Sequence, residues 1–169
     1  MNLNFTIRPA QETDLPVIMD IYAAAREQMR AAGNTTQWGS TYPPEETVRA
    51  DLTAGHLYVL ETPDTCIQAV FCFFTGDEPL YRDPQAHWSK EASYGVVHRI
   101  ASTGTVKGAG AACLRWAVEQ ARYLRIDTHK DNKAMQHVLR KLGFHECGAV
   151  KAHDGTPRLA FDASAEDLT

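Results

Sequence analysis

The sequence lacks most features that mark membrane, nucleic-acid-binding or disulfide-rich proteins. Nowhere do eighteen apolar residues run together, and no charged segment followed by an apolar stretch opens the chain. The formal net charge of −4 gives no general attraction for nucleic acid or an anionic membrane. The four cysteines form no Cys-x-x-Cys pair and no zinc-like spacing. We therefore expect a cytoplasmic protein with reduced thiols, no metal, and no membrane or nucleic-acid partner.

Two nucleotide-binding signatures are also missing. No stretch ends in Gly-Lys-Ser or Gly-Lys-Thr, which excludes a P-loop NTPase. A Rossmann dinucleotide site is disfavoured because the glycine-rich loop comes late in the chain, and no acid follows it at the end of a second parallel strand in the context that this fold expects. The 169 residues fit one α/β (α+β) domain, which we place over residues 1–169.

A loop of small residues is the most informative feature that the sequence does contain. Lys107-Gly108-Ala109-Gly110-Ala111 runs directly into a segment with apolar or small residues at helical spacing. The loop should therefore lie at a helix N-terminus, where unpaired N–H groups and the helix dipole favour an anion. The alternative is that the two glycines only allow tight helix packing.

The charge distribution around this loop is uneven. Residues 107–141 carry eight basic and three acidic side chains, a balance of +5, so the remainder of the chain carries −9. Such a run is ordinarily a solvated helix face, but it also provides a field that favours a polyanionic cofactor.

Hydrophobic periodicity and turn residues predict the element order β-α-α-β-β-β-α-β-α-β-β, a mixed sheet with helices on its faces. The strands are predicted at 5–8, 56–61, 66–75, 94–100, 124–128, 144–150 and 158–162. The helices are predicted after a cap at Thr13 or Asp14, at 45–53, after the loop at 107–111, and at 132–142. Gly143 should end the last helix.

Two loops are candidates for substrate contacts. The loop at 33–44 carries Trp38 and Tyr42, which either cover an end of the core or form a wall of a substrate pocket. The loop at 76–91 either overhangs a site or lies along an edge of the sheet.

Two sequence motifs follow each other along the chain, first a glycine-containing loop and then a helix that begins with an asparagine. Thr105-Val106-Lys107-Gly108-Ala109-Gly110 follows the predicted strand His98-Arg99-Ile100-Ala101, and a later helix runs from Asn132 through Lys141-Leu142 to Gly143-Phe144. With one helix and one strand between them and a hairpin after them, these motifs resemble the GNAT superfamily of acyl-CoA-dependent N-acetyltransferases. The resemblance covers essentially the full chain. It implies a mixed, mostly antiparallel sheet of about seven strands with helices on both faces.

The resemblance also implies a co-substrate, acetyl-CoA, and a set of residues that bind it. Backbone amides of Lys107, Gly108, Ala109, Gly110 and Ala111 would hold its pyrophosphate. Its pantetheine arm would lie between the strand ending near Ile100 and Ala101 and the strand at 124–128, and Asn132 would hydrogen-bond that arm. Asn132 is also a natural helix N-cap, and the two roles are compatible.

Two positions depart from the family pattern. The first loop position, usually Arg or Gln, is Thr105, which weakens side-chain contacts to phosphate, although Lys107 returns some charge. The Tyr that many members carry seven residues after the Asn, as general acid to the leaving thiolate, is replaced by Leu139. Either another group or water then protonates the thiolate.

Acetyl transfer to an amine needs a base but no covalent intermediate. His98 and His129 are the candidate bases because each lies near the C-terminal end of a central strand, and Asp127 is a candidate orienting carboxylate. A metal site at His129 with Asp127 and Asp131 is disfavoured because that spacing is common in turns. The cysteines at 66, 72, 113 and 147 lie in apolar contexts, where thiols are inert.

The acceptor is predicted only as a class. Trp38, Tyr42 and Arg99 are the candidate substrate-binding residues, with Arg99 pairing with a carboxylate either of the fold or of a substrate. We expect acetyl transfer to a primary amine of a small molecule or peptide, by direct attack in a ternary complex. Acidic residues near the pocket loops favour a cationic amine such as a polyamine, an aminoglycoside or a protein N-terminus. The alternative function is a catalytically weak or inactive acyl-CoA-binding module. We expect the protein to be a monomer or a homodimer.

Overall fold

A computed structural model describes residues 4–169. It contains seven strands: β1 (Thr6–Pro9), β2 (Leu57–Glu61), β3 (Ile67–Thr75), β4 (Gly95–Ser102), β5 (Tyr123–Thr128), β6 (His145–Lys151) and β7 (Pro157–Ser164). Its helices are α1 (Leu15–Ala31), α2 (Glu45–Thr53), α3 (Ala109–Ala121) and α4 (Lys133–Leu142). Across residues 4–169, no helix combines the length and the apolar character needed to cross a bilayer.

The strands form one sheet in the order β1-β2-β3-β4-β5-β7-β6. The β1–β2, β2–β3, β5–β7 and β6–β7 pairs are antiparallel, whereas β4 and β5 run parallel, with Gly95 opposite Leu124 and Val96 opposite Arg125. The predicted element order and the mixed, mostly antiparallel sheet of seven strands are thus confirmed.

Element boundaries differ from the prediction at a few points. β1 continues through Pro9, which pairs with Tyr58, because β1 is an edge strand, where proline need not donate a ladder hydrogen bond. Three short 3₁₀ turns were not predicted, since three or four residues give no readable period. They are Glu12–Asp14, Pro79–Arg82 and Ala165–Asp167.

The described residues divide into two compact units. Unit 1 contains the chain up to Phe73 together with His98–Cys113, and unit 2 contains Phe74–Val97 together with Leu114–Thr169. The assignment of residues 1–169 to one domain stays a prediction.

The core of unit 1 forms around α1. The buried side chains of α1 recur at helical spacing and pack against Val48 of α2 and against β2 and β3. Full burial of one large aliphatic or aromatic side chain stabilises the folded state by about 1.5–3 kcal/mol. Pro16 occupies the first turn, where its missing N–H costs nothing. The buried α1 residues are Leu15, Ile18, Ile21, Tyr22 and Ala25.

The core of unit 2 includes part of the long loop between β3 and β4. Tyr81 from that loop is buried with Val96, Val150 and Ala160. The Trp88 indole donates to the Tyr81 carbonyl at 2.9 Å and packs against the same core. This loop is therefore a packed part of unit 2.

Gly143 ends α4, as predicted, and allows a close backbone approach. Its φ is +97°, and a Cβ added there would lie 2.2 Å from the Asp167 carbonyl oxygen. We expect Gly143→Ala to lower the free energy of unfolding by about 2–3 kcal/mol, measured by urea denaturation. The control is Gly155→Ala, where φ is +80° and nothing lies within 4 Å, so only the smaller conformational cost applies. Equal losses in the two variants would contradict the role of the Asp167 contact.

Candidate active site

The glycine loop, residues 107–111, stands at the N-terminus of α3, as predicted. The Gly108 carbonyl accepts the first intrahelical hydrogen bond, from the Ala112 N–H at 2.9 Å. The N–H groups of Gly108, Ala109, Gly110 and Ala111 precede that bond, so helix geometry gives them no intrahelical acceptor. They lie at the positive end of the helix dipole.

The two glycines of this loop do not serve packing. Apart from the chain neighbours and the adjoining helix backbone, no atom of residues 4–169 would lie within 4 Å of a Cβ built at Gly108 or Gly110. Gly108 has φ of +87°, a backbone conformation that other residues adopt only with strain. The structure therefore shows open space beside both glycines rather than tight helix packing, and a ligand in that space stays a prediction.

The segment before the glycine loop is held by side chains from distant elements. The hydroxyls of Thr103 and Thr105 both donate to the Gln68 side-chain oxygen, at 2.8 and 3.0 Å. The Gln28 amide donates to the Thr103 carbonyl at 3.1 Å. Thr105, which departs from the family pattern, thus supports the loop itself. Neither Gln28 nor Gln68 could be identified from the sequence, because they lie 75 and 35 residues from Thr103.

β4 contains a backbone irregularity at Arg99. Its φ is +51°, a left-handed conformation that costs a non-glycine residue about 1–2 kcal/mol. The buried Tyr22 hydroxyl of α1 donates to the Arg99 carbonyl at 2.8 Å and supports this conformation. Ile100 and Ala101, predicted to contact the cofactor, follow directly, and the Ala101 side chain is buried.

The Arg99 side chain pairs with a carboxylate of the fold. Its Nε and Nη2 donate to the two oxygens of Asp51, both at 2.7 Å, and its Nη1 donates to the Tyr42 hydroxyl at 3.1 Å. Burial alone would lower the pKa of Arg99, but its hydrogen bonds to Asp51 outweigh burial and hold that pKa above its usual value. The sequence left open whether Arg99 pairs with a carboxylate of the fold or of a substrate. The structure shows a carboxylate of the fold, that of the buried Asp51 in α2, a pairing that sequence reasoning did not identify.

The two aromatic residues of the 33–44 loop have different environments. The Trp38 ring lies edge-to-face with Tyr22 at 5.7 Å and with Tyr42 at 6.3 Å, and it belongs to the core of unit 1. Tyr42 keeps 37% of its surface exposed. Trp38 therefore covers an end of the core, and only Tyr42 presents a surface. A role of either in acceptor binding stays a prediction.

In unit 2, His129 follows the C-terminal end of β5. It is buried, and its Nδ1 accepts the Asp131 backbone N–H at 3.0 Å. Burial, together with the Arg158 charge, lowers the pKa of His129, so the neutral imidazole carries its proton on Nε2. Among residues 4–169, no three His, Cys, Asp or Glu side chains are grouped to hold a metal ion.

Asp127 is held by a tyrosine. Its Oδ1 accepts the Tyr81 hydroxyl at 2.6 Å. Burial, and then the Asp127 charge, raise the pKa of Tyr81 well above its usual value. Asp127 therefore positions Tyr81, a contact 46 residues apart that the sequence did not indicate.

Asn132 directly precedes α4, and Leu139 lies within the helix. The Asn132 side-chain oxygen accepts the Met135 N–H at 3.1 Å, which confirms it as the helix N-cap. Leu139, at the position of the family's tyrosine, is fully buried. A contact of Asn132 with the cofactor stays a prediction.

The cysteines and His98 complete the set of predicted residues. Burial raises the pKa of Cys72, Cys113 and Cys147 to about 12, so these thiols remain protonated and inert at neutral pH. The expectation of an apolar context is wrong for Cys66, which is exposed beside the turn between β2 and β3. His98 is half-buried in β4, next to Arg99.

Comparison with known proteins places this architecture in a family. Residues 4–145 match the family model described as an acetyltransferase (GNAT) domain. Among curated proteins, none matches the chain. A GNAT-family acetyltransferase structure from Streptococcus agalactiae is similar, with 29% identity, a TM-score of 0.86, and coverage of 96% of this chain and 98% of that chain.

Two further solved structures share the fold at lower identity. A GNAT-family acetyltransferase from Listeria monocytogenes has 16% identity and a TM-score of 0.67, covering 97% of this chain and 98% of that chain. A ribosomal-protein-alanine N-acetyltransferase from Brucella melitensis has 20% identity and a TM-score of 0.63, covering 94% and 99%. Because the family model spans most of the chain, including the glycine loop and the helix capped by Asn132, the chain belongs to the GNAT family of acetyltransferases.

Proposed function

We propose that this protein transfers an acetyl group from acetyl-CoA to a primary amine by direct attack in a ternary complex. The observation that carries the proposal is the glycine loop, where helix-terminal N–H groups border an opening that no side chain fills. Family membership supports the same chemistry. Acetyl-CoA supplies the activated acetyl group as a thioester.

The glycine loop would bind the pyrophosphate through its main chain. The N–H groups of Lys107, Gly108, Ala109, Gly110 and Ala111 and the dipole of α3 provide directed donors and a positive potential. The Lys107 side chain is exposed and adds a full charge. Thr105 adds no direct contact, because its hydroxyl bonds to Gln68.

β4 would polarise the thioester carbonyl. The conformation of Arg99 redirects the chain just before Ile100 and Ala101, and a backbone N–H there would meet the negative charge that develops on the carbonyl oxygen. Tyr22 binds the Arg99 carbonyl, and Asp51 binds the Arg99 side chain. These two contacts would hold the backbone N–H donor in place before the thioester binds.

We assign the general base to His98. It lies on β4 immediately before the irregularity at Arg99, whereas His129 already uses Nδ1 as an acceptor and keeps its proton on Nε2. Catalytic roles for His129 and Asp127, which lie in unit 2, stay predictions. Leu139 cannot act as the general acid, but a thiol with a pKa of about 8.5 leaves as a thiolate without one.

The proposal is tested by CoA release from acetyl-CoA with a panel of primary amines, with the products identified by mass spectrometry. We expect His98→Gln to lower kcat about 100-fold, because the attacking amine loses its proton acceptor. The matched control is His137→Gln on the exposed side of α4, which should leave kcat unchanged.

Two outcomes would contradict parts of this proposal. Turnover that survives in His98→Gln would remove His98 as the base. If acetyl-CoA binds but no amine is acetylated, the buried Leu139 would favour an acyl-CoA-binding module without catalysis.

A further inference from the structure

Unit 2 contains an open cavity formed by the long loop between β3 and β4 together with β5. Its volume is about 320 Å³, at the lower end of the range for small-molecule sites. The residues that form its inner wall are Tyr81, Trp88, Tyr94 and Arg125. No lining residue is one that we propose to bind acetyl-CoA or to transfer the acetyl group.

The walls of this cavity are held by contacts within unit 2. The Tyr94 hydroxyl accepts the Glu78 N–H at 2.9 Å, and the Trp88 indole donates to the Tyr81 carbonyl at 2.9 Å. The Arg125 guanidinium packs over the rings of Trp88 and Tyr94, at 4.7 and 4.2 Å from their centroids. The cavity is therefore formed before any ligand enters, which lowers the entropic cost of binding.

Arg125 has more hydrogen-bond donors than the fold uses. Its side chain is only 5% exposed, its Nη2 donates to the Lys90 carbonyl at 2.9 Å, and its Nε donates to the Tyr123 hydroxyl at 3.4 Å. Its Nη1 makes no hydrogen bond to any of residues 4–169. Because each Nη carries two N–H groups, Nη1 and the second N–H of Nη2 form an edge that fits both oxygens of one carboxylate.

Glu91 shows that a carboxylate can approach this edge. Its Oε2 lies 3.8 Å from the Arg125 Nη2, too far for a hydrogen bond, and its side chain is 94% exposed. Both residues line the cavity, so the approach is made from the open space. An exposed ion pair of this kind stabilises little, because water screens it and the long side chain loses conformational freedom. A ligand carboxylate can therefore take the place of Glu91.

The lining residues carry charges of both signs. Two arginines and three acids give the cavity a net charge of −1: Arg82, Arg125, Asp77, Asp83 and Glu91. Asp77 pairs with Arg82. Asp83 has no cationic partner among residues 4–169 and accepts backbone N–H groups, from Gln85 at 2.9 Å and from Lys151 at 3.2 Å. A simple anion would meet this negative excess, whereas a ligand with both an ammonium and a carboxylate group complements both signs.

We propose that this cavity binds a free α-amino acid, with its carboxylate on Arg125 and its ammonium group toward Asp83. The aromatic rings of the wall provide an apolar surface for the amino-acid side chain. This binding goes beyond the proposed acetyl transfer, since it uses other residues and requires no acetyl-CoA.

Isothermal titration calorimetry on the full chain, without acetyl-CoA, tests the proposal with ligands that differ in one group. The probes are L-alanine, L-leucine and L-phenylalanine. Each is compared with its amide, which lacks the carboxylate, and with propanoate, 4-methylpentanoate or 3-phenylpropanoate, which lack the amino group. We expect at least one amino acid to bind, and both of its analogues to bind about 10–100-fold more weakly.

Two variants with opposite expected effects locate the ligand in the cavity. Arg125→Met should weaken amino-acid binding about 10–100-fold, because the fork of donors is lost. Glu91→Gln should strengthen binding about 2–5-fold, because the competing carboxylate is removed. Since Glu91 is exposed, this second variant decides the matter even if Arg125→Met does not fold. The control is Glu146→Gln, an exposed glutamate of unit 2 paired with Arg140, which should leave the affinity unchanged.

Three results would overturn the inference. The first is that none of the three amino acids binds the wild type. The second is equal affinity for an amino acid and its amide, or for an amino acid and the acid without an amino group. The third is amino-acid binding that Glu91→Gln does not strengthen and Arg125→Met does not weaken. Absent binding of acetyl-CoA would instead defeat the proposed acetyl transfer, and it leaves these titrations unaffected.

Discussion

Gly108→Glu is expected to weaken acetyl-CoA binding about 1,000-fold. The new carboxylate would lie where the pyrophosphate is proposed to bind, and two like charges about 4 Å apart near a protein surface repel by about 4 kcal/mol. The side chain would also fill the opening over the loop, and the φ of +87° would add backbone strain. Isothermal titration calorimetry with acetyl-CoA and with CoA measures the loss.

The matched control is Gly33→Glu, after the end of α1. Gly33 has φ of +88° and, like Gly108, nothing within 4 Å of an added Cβ. Both variants therefore carry similar backbone strain and the same added charge, so both should show a similar fall in Tm. Only Gly108→Glu should lose acetyl-CoA binding. Equal affinities in the two variants would place the pyrophosphate elsewhere.

Asp51→Asn is expected to lower the free energy of unfolding by about 3–5 kcal/mol. Asp51 is buried and makes two short hydrogen bonds to Arg99, so its loss leaves an uncompensated charge inside unit 1. Urea denaturation measures the change. Glu45→Gln, which removes an exposed ion pair with Arg49, should change little.

A double-mutant cycle separates the pair from the individual residues. The single variants of the cycle are Arg99→Met and Asp51→Leu. The double variant removes both charges, so it should be more stable than Arg99→Met alone. If the two losses simply add, Asp51 and Arg99 stabilise the protein independently. The same variants report on activity, because Arg99 orients the backbone that is proposed to polarise the thioester.

Regular elements were predictable because their signals are local. The spacing of Leu15, Ile18 and Tyr22 defines the buried face of α1, and Asn132 and Gly143 mark the two ends of α4. The glycine loop was found for the same reason, since an N-terminus without side chains can be read from five consecutive residues.

The partners of the site residues were not predictable, because they depend on pairings between distant segments. Arg99 could be singled out, but nothing near it pointed to Asp51, 48 residues away. Asp127 was selected as a partner for a histidine, whereas tertiary packing brings Tyr81 to it. Arg125 could not be singled out, because an isolated arginine in a strand is ordinarily exposed, and only the folded structure shows that it is buried.

The glycine loop presents peptide groups rather than side chains at the proposed pyrophosphate site, and this has an evolutionary consequence. A surface built from the main chain is specified by backbone conformation, so most side chains around it are free to drift as long as the turn is kept. Thr105 illustrates this tolerance: it stands where the family usually has Arg or Gln, and its hydroxyl stabilises the turn by donating to Gln68. A shared fold at 16–29% identity, as with the structures from Listeria and Streptococcus, is then unsurprising for this family.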